Sequence, residues 1–238
     1  MRESRRDPTN NHTDKPAPKA VVGRVSLYLR QLESFRTQGE VTISSSQIGM
    51  ALGINDAQVR KDLAFFGQFG YPGIGYRIEE LHGALRHILG IDRQWPMALI
   101  GLGNLGRALL KYRGFGDRGF NIAALFDNDP TKVGLRFDDL LVHALNDLPK
   151  VVAELNICLA VLTVPAESAQ RVADQVVACG VLGILNFAPM PLNLPTTVGV
   201  VAVDLSVQLE HLAYKVQNTQ GGISDPGSTF RGAPDSLE

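Results

Sequence analysis

The segment Gly101-Leu102-Gly103-Asn104-Leu105-Gly106 constrains this chain more than any other feature. Three glycines in GxGxxG spacing are common by themselves. Here they follow a short apolar run, Met97–Ile100, that reads as a strand, and they open a helical pattern over Leu105–Tyr112. A second strand pattern, Ile122–Phe126, leads into Asp127, 21 residues after Gly106. Strand, glycine turn, helix, strand and acidic residue in that order form the dinucleotide-binding fingerprint. Each position has a physical task. Gly101 permits the tight turn, Gly103 lets a pyrophosphate approach the backbone, and Gly106 lets the helix pack closely on the strand. The free N–H groups and the positive end of the helix then favour the anion. A carboxylate at Asp127 can accept both hydroxyls of an adenosine ribose and repels a 2′-phosphate. Neither Asn128 nor Asp129 supplies a compensating arginine, so the expectation is NAD and NADH over their phosphorylated forms.

The rest of the second half alternates strand and helix. Ile157–Thr163 is almost wholly apolar, as a strand buried on both faces should be. Ala166–Cys179 has helical spacing, Gly183–Asn186 and Gly199–Val203 read as strands, and a final helix is expected from about Leu205 to Gln217. Leu140–Leu145 is ambiguous. The alternation predicts a doubly wound parallel sheet of Rossmann type. In such sheets ligands bind outside the carboxyl ends of the strands. Thr163-Val164-Pro165 and Asn186-Phe187-Ala188-Pro189 stand at two such ends and join the candidate cofactor-binding residues, with Asn186 or nearby backbone groups toward the nicotinamide.

The first half has a different grammar. Val22, Val25, Leu29 and Leu32 fall at helical spacing, and Gly39 breaks the run. A short helix fits Ser46–Leu52, with Ser44 and Gln47 at capping-box spacing and Gly53 at its end. Asn55 is a good cap for a third helix, Gln58 stands three residues on, and Val59, Leu63 and Phe66 form an inward stripe. Gly67 to Tyr76 alternates glycines with aromatics around Pro72-Gly73 and reads as a hairpin. A fourth helix is expected over Glu79–Leu89. Two helices joined at Gly53 and followed by a hairpin fit a winged helix-turn-helix. Arg60 and Lys61 point away from the inward stripe, toward where a major groove would lie. An arginine held by a guanine edge contributes about 1–3 kcal/mol of discrimination. Lys61 and Arg77 suit phosphates, which position without specifying. With Ser46, Gln58 and Tyr76 these complete the candidate DNA-binding residues.

Charge supports the division weakly. Residues 1–90 carry 12 Lys/Arg against 9 Asp/Glu, and residues 91–238 carry 11 against 15. Cys158 and Cys179 lack CxxC partners or a histidine cluster, so no metal site is expected and both read as buried free thiols of a reducing cytoplasm. No apolar run is long enough to span a bilayer, and the polar N-terminus does not read as a signal peptide. The expected organisation is a disordered tail over 1–19, a winged-helix unit over 20–92, a Rossmann unit over 93–203, a C-terminal helix over 204–218 and a loose tail over 219–238.

A rival reading is an NAD-dependent dehydrogenase with a helical cap. Hydride transfer to a carbonyl requires an acid/base group. Of His12, His82, His87, His143 and His211, only His143 falls in the second half before the final helix, and no arginine clamp accompanies it. No catalytic residue is assigned. A passive nucleotide-binding scaffold is the third reading, and it rests on the glycine motif alone.

Taken together, several stretches resemble the redox-sensing repressor family Rex. They are Gln58-Val59-Arg60-Lys61-Asp62-Leu63, the hairpin from Phe66-Gly67 to Gly75-Tyr76, the glycine motif with Arg107, Leu162-Thr163-Val164-Pro165, Gly183 to Pro189, and Val203-Asp204-Leu205-Ser206. The resemblance covers roughly residues 20–217. It implies a homodimer on palindromic double-stranded operator DNA that NADH releases and NAD+ permits. It makes Arg60 and Lys61 recognition contacts and the helix after Asp204 an arm swapped with the partner subunit. Arg30, Tyr112 and Asp204 match a switch set, in which an Arg–Asp pair across the dimer holds one domain orientation and Tyr112 exchanges partners. The wing departs from the family pattern, since Tyr71-Pro72 stand where many members carry a basic residue.

Overall fold

The computed structural model describes residues 17–219, so the expected tails lie almost wholly outside the described residues. The chain forms two compact units. The first runs up to Trp95 and takes back Gly114–Phe120. The second comprises Pro96–Arg113 and the chain from Asn121 onward.

In the first unit, α1 (Lys19–Thr37) begins at residue 19, inside the span expected to be a tail. Val25, Leu29 and Leu32 are buried as their spacing predicts, together with Tyr28. Val22 is instead 38% exposed, and Val21 packs on the core in its place. The stripe continues back from Val25 by four residues rather than three. α2 (Ser45–Leu52) starts with a complete capping box: Gln47 N–H donates to Ser44 Oγ at 3.2 Å, and Ser44 N–H donates to Gln47 Oε1 at 2.9 Å. Gly53 ends it with φ of 65°. A Cβ at Gly49 would overlap the Ile54 carbonyl oxygen, so only glycine lets the turn into α3 (Asp56–Phe66) lie this close to α2. Asn55 caps α3 through Ala57 N–H at 2.8 Å. Gln58 does not return to this cap; it turns to Asp62, as described below.

Tyr71 and Tyr76 lie on the two strands of the wing, β2 (Gly70–Tyr71) and β3 (Gly75–Arg77). Together with β1 (Thr42–Ile43) they form an antiparallel sheet in the order β1-β3-β2. α4 (Ile78–Ile88) closes the unit with Ile78, Leu81 and Leu85 buried. Each such apolar side chain stabilises the fold by roughly 1.5–3 kcal/mol on burial. The segment Gly114–Phe120 is built into this core: Trp95 N–H donates to Gly119 O at 2.7 Å, Arg118 Nη2 to Glu33 Oε2 at 2.7 Å, and Phe120 packs against the cluster around Leu29 and Leu85. The expected boundary at 92/93 has no such return.

The second unit is a seven-stranded sheet. Its strands are β4 (Trp95–Ile100), β5 (Phe120–Asp127), β6 (Arg136–Phe137), β7 (Leu140–Ala144), β8 (Leu159–Leu162), β9 (Gly183–Asn186) and β10 (Gly199–Ala202), in the order β10-β9-β8-β4-β5-β7-β6. The pairs β4–β8, β8–β9, β9–β10 and β5–β7 are parallel, and the short β6 is antiparallel to β7. The ambiguous segment is thus β7. After β4 the chain builds outward through β5 and β7, then returns to the other side of β4 as β8. That reversal places a topological switch point at the carboxyl ends of β4 and β8. α5 (Asn104–Leu110) is shorter than expected, and α6 (Leu148–Glu154) was not anticipated. α7 (Ala166–Ala178) covers the sheet through Ala169, Val172, Ala173 and Val176. α8 (Leu205–Thr219) keeps every described side chain exposed, including Leu205 at 63%, Leu209 at 66% and Tyr214 at 69%.

Candidate functional site

A cleft of about 800 Å³ opens at the switch point. Gly101, Gly103, Leu105, Asp127, Thr163, Val164, Pro165 and Phe187 of the predicted set line it. Its floor is set by close backbone packing. Gly101 has φ of 94°, and a Cβ there would press 2.8 Å onto Thr163 O. A Cβ at Gly106 would overlap the Gly101 carbonyl oxygen and lie 2.9 Å from Thr163 Oγ1. Gly103 differs: a Cβ there would meet nothing within 4 Å. The space above Gly103 is therefore open to a ligand that must touch the backbone, which fits a pyrophosphate. Leu102 N–H points down to Asp127 rather than into the cleft.

Asp127 is 5% exposed. Its Oδ2 accepts from Leu102 N–H at 2.7 Å and Lys132 Nζ at 3.1 Å, and its Oδ1 accepts from Asp129 N–H at 2.9 Å. Burial works to raise its pKa. The N–H groups of Asp129 and Leu102 and the ammonium of Lys132 outweigh it and hold the carboxyl below its ordinary value. Among the described residues no arginine compensates Asp127, as expected from Asn128 and Asp129, but Lys132 places an ammonium beside it that the sequence reading did not include. It is shared with Asp129 at 3.5 Å, so two carboxylates still outnumber one ammonium. The signal was the Asp129-Pro130-Thr131 turn: Thr131 N–H and hydroxyl both donate to Asp129 Oδ1, and the turn carries Lys132 back toward Asp127. Arg171, an exposed residue of α7, also lines the cleft and was missed.

Other predicted residues have different duties. Asn186 is 1% exposed, and its amide is used within its own loop: Nδ2 donates to Met190 O at 2.9 Å and Oδ1 accepts from Ala188 N–H at 3.0 Å. It shapes the loop and does not present a side chain to a nicotinamide. Ala188 is 6% exposed, and Pro189 is outside the cleft lining. The Thr163 hydroxyl donates to Gly101 O at 2.6 Å and braces the glycine turn. His143 packs on Phe126 with ring centroids 5.6 Å apart and does not line the cleft. Cys158 and Cys179 are partly buried, and burial pushes the Cys179 thiol up. Among the described residues no group of His, Cys, Asp or Glu could hold a metal ion.

In the first unit, Ser46, Arg60, Lys61 and Arg77 are exposed on α2, α3 and β3. Two candidates are not. Tyr76 is 8% exposed and sits in the core, its ring 3.2 Å from where a Cβ on Gly70 would stand. Gln58 is half-buried and donates from Nε2 to Asp62 Oδ1 at 2.7 Å. Both correct the reading of direct DNA contacts, because their side chains serve packing.

Asp62 is the residue the sequence reading passed over. It is 2% exposed and also accepts from Arg24 Nη2 at 2.8 Å and from the Tyr28 hydroxyl at 2.7 Å. Burial favours its neutral form, yet Arg24, Tyr28 and Gln58 together hold its pKa below the ordinary value. The network ties α1 to α3. Its sequence signal was a carboxylate at position 62 on the same helical face as Val59, Leu63 and Phe66, opposite Arg24 and Tyr28 spaced by four.

The switch candidates stand apart in sequence. Arg30 is exposed on α1 of the first unit. Tyr112, 56% exposed, follows α5 in the second. Asp204 begins α8, its Oδ1 accepting from Ser206 N–H at 2.8 Å.

A winged helix-turn-helix joined to a Rossmann sheet with an open glycine cleft defines a class: a DNA-binding regulator carrying its own nucleotide module. Residues 17–64 match a family model described as a putative DNA-binding protein N-terminus, and residues 92–190 match one described as a CoA binding domain. The chain is 47% identical over 199 residues to the redox-sensing transcriptional repressor Rex of Pelotomaculum thermopropionicum, covering 84% of this chain and 93% of that protein. It superposes on a Rex-family repressor, RSP, solved with β-NAD+ and operator DNA, with a TM-score of 0.82 and 34% identity over 87% of this chain and 95% of that one. RSP solved with β-NADH gives 0.79 and 33%, over 87% and 97%. This chain belongs to the Rex family of redox-sensing transcriptional repressors.

Proposed function

We propose that this protein binds palindromic operator DNA as a homodimer in the cytoplasm and is released when NADH enters the Rossmann cleft. It is a regulator and not a hydride-transfer enzyme, in keeping with the repressor role of its relatives. The observation that carries the reading is the cleft itself: open backbone at Gly103 beside a buried, ionised Asp127, in a chain whose relative RSP has been solved with NAD+ on operator DNA and with NADH.

The first unit reads DNA, the second senses the nucleotide, and residues 204–218 form the exchanged helix. Gly103 and its neighbours receive the pyrophosphate. Asp127, kept as an anion, accepts the ribose hydroxyls and disfavours a 2′-phosphate even with Lys132 beside it. Val164, Pro165 and Phe187 line the cleft further along. Arg60 and Lys61 enter the major groove, and Ser46 and Arg77 meet the backbone. The exposed apolar side chains of α8 are in keeping with a helix covered by a partner subunit. Arg30, Tyr112 and Asp204 form the switch by which the dimer changes its domain orientation. Half-sites on the operator must then be spaced by whole helical turns. No helix among the described residues is long and apolar enough to cross a membrane.

Allosteric couplings amount to about 1–3 kcal/mol, or roughly 5–150-fold in affinity, enough to switch a promoter if operator binding is moderate. The test is a gel-shift titration on DNA from upstream of the protein's own gene. Release by micromolar NADH but not by NAD+ is expected. Binding indifferent to both nucleotides would refute the sensing role, and absence of binding would refute the repressor.

A further inference from the structure

Both arginines expected to meet DNA already have an anionic partner in their own unit. Arg60 Nη1 lies 2.7 Å from Asp56 Oδ2, one turn back on α3, and 2.9 Å from Ser45 Oγ. Arg77 Nη1 lies 3.0 Å from Glu80 Oε1, and the Tyr71 hydroxyl donates to Glu80 Oε2 at 2.9 Å. The Arg77 guanidinium also sits 4.9 Å from the centre of the Tyr71 ring. The two carboxyls are held below their ordinary pKa values, first of all by these hydrogen bonds to arginine. They are therefore anions wherever the protein works.

Such pairs contribute little to stability, because all four charged side chains face water: Asp56 is 40% exposed, Arg60 53%, Arg77 54% and Glu80 50%. Their effect on DNA is of another kind. A phosphate approaching Arg60 or Arg77 must compete with a carboxylate already in place, and that carboxylate repels it. A guanine edge offers uncharged acceptors, and the guanidinium has five N–H donors, of which Asp56 and Ser45 engage Nη1 alone. The penalty thus falls on indiscriminate phosphate contact more than on base contact. The wing sharpens the point. Tyr71 and Pro72 carry no charge, so Arg77 is its cation, and Tyr71 and Glu80 both engage it.

We propose that Asp56 and Glu80 are specificity-determining residues that mask Arg60 and Arg77 against non-specific DNA. The inference rests on the reading of α3 and the wing as the DNA-binding surface.

The test uses the full chain carrying Asp56→Asn, Glu80→Gln or both. Fluorescence anisotropy follows binding to a palindromic duplex from upstream of its own gene and to a scrambled duplex of equal length, across a salt series. Each substitution is expected to tighten binding to the scrambled duplex and to narrow the preference for the palindrome. Each released arginine steepens the plot of log K against log salt by about 0.9, so a fourfold step from roughly 50 to 200 mM costs the variant about 3.5-fold more affinity than the parent. NADH affinity, read by titration, stays unchanged. Asp56 also stands in the first turn of α3, where an acid favours the helix. If Asp56→Asn unfolds early, Asp56→Ser keeps a helix-starting side chain and carries the same expectation. Unchanged salt slopes, or weaker binding to the scrambled duplex, overturn the masking role while leaving the repressor reading intact. A parent protein that binds neither duplex overturns both.

Discussion

Asp62→Ala tests whether the buried network holds α3, the helix proposed to read DNA. The substitution removes the acceptor for Arg24, Tyr28 and Gln58 at once. Removing one partner of a buried ion pair costs about 3–5 kcal/mol, since the other charge is left uncompensated. The Arg24 side chain is 28% exposed and can turn partly to water, which places the expected loss nearer about 2–3 kcal/mol. With a urea dependence of about 1.5 kcal/mol/M, the midpoint should fall by roughly 1.3–2 M. The assay is specific, because Trp95 is the single tryptophan and belongs to the first unit, where its indole N–H donates to Gly90 O at 2.6 Å. Its fluorescence in urea reports on that unit, at the point where β4 begins. The pH dependence has a definite sign. A carboxyl whose pKa is lowered on folding stabilises the fold above its unfolded value, near 3.8, and that contribution is lost as pH falls through the folded value. The gap between parent and Asp62→Ala should be full at pH 7 and begin to close only below about pH 4. A midpoint within about 0.3 M of the parent at pH 7, well inside the shift expected for losing a buried charge partner, would refute the reasoning. So would a gap that widens in acid.

Three further substitutions probe the two surfaces. Gly106→Ala forces its Cβ against the Gly101 carbonyl oxygen; overpacking of this kind costs about 1–3 kcal/mol, so NADH affinity by fluorescence titration should fall roughly 5- to 150-fold while operator binding persists. Asp127→Asn removes the anion but leaves Lys132, so the ratio of NADPH to NADH affinity should rise by about tenfold or more, as one lost charge repulsion at close range would give. Lys61→Ala should weaken operator and scrambled duplexes alike and flatten the salt slope by about 0.9; a selective loss on the operator would make Lys61 a base-reading residue instead.

What the sequence made legible was chemistry contained in one local segment. The glycine turn, its flanking strands and Asp127 could be placed because each glycine answers a backbone requirement within a few residues. The capping box at Ser44 and Gln47 and the stop at Gly53 were legible for the same reason. Lys132 was not, since its approach to Asp127 depends on how the intervening Asx turn folds back. Asn186 misled because an amide at a strand end suits a ligand and equally suits its own loop, and the nearby carbonyls won. Gln58 and Tyr76 sit beside exposed positions, and only the packing of α1 against α3 and of the Tyr76 ring over Gly70 within the wing decides which way they turn. Asp62 shows on the inward face of α3, but two of its partners, Tyr28 and Arg24, lie 34 and 38 residues away on α1, a distance over which residue spacing does not pair them. α6 was overlooked although Pro149 stands in its first turn, because seven residues make too short a periodic pattern.

The return of Gly114–Phe120 to the first unit bears on how the protein is made. Domains generally complete their folding in order of synthesis. Here the N-terminal unit is unfinished when Trp95 is translated, since the carbonyl of Gly119, the guanidinium of Arg118 and the ring of Phe120 have yet to appear. The opening strand and glycine turn of the next unit emerge from the ribosome before the previous one can close. A DNA-binding unit excised at residue 95 and grafted onto another effector module would therefore lose the Arg118 partner of Glu33 and carry an open flank, whereas a graft that keeps the chain through Phe120 brings part of the second unit with it.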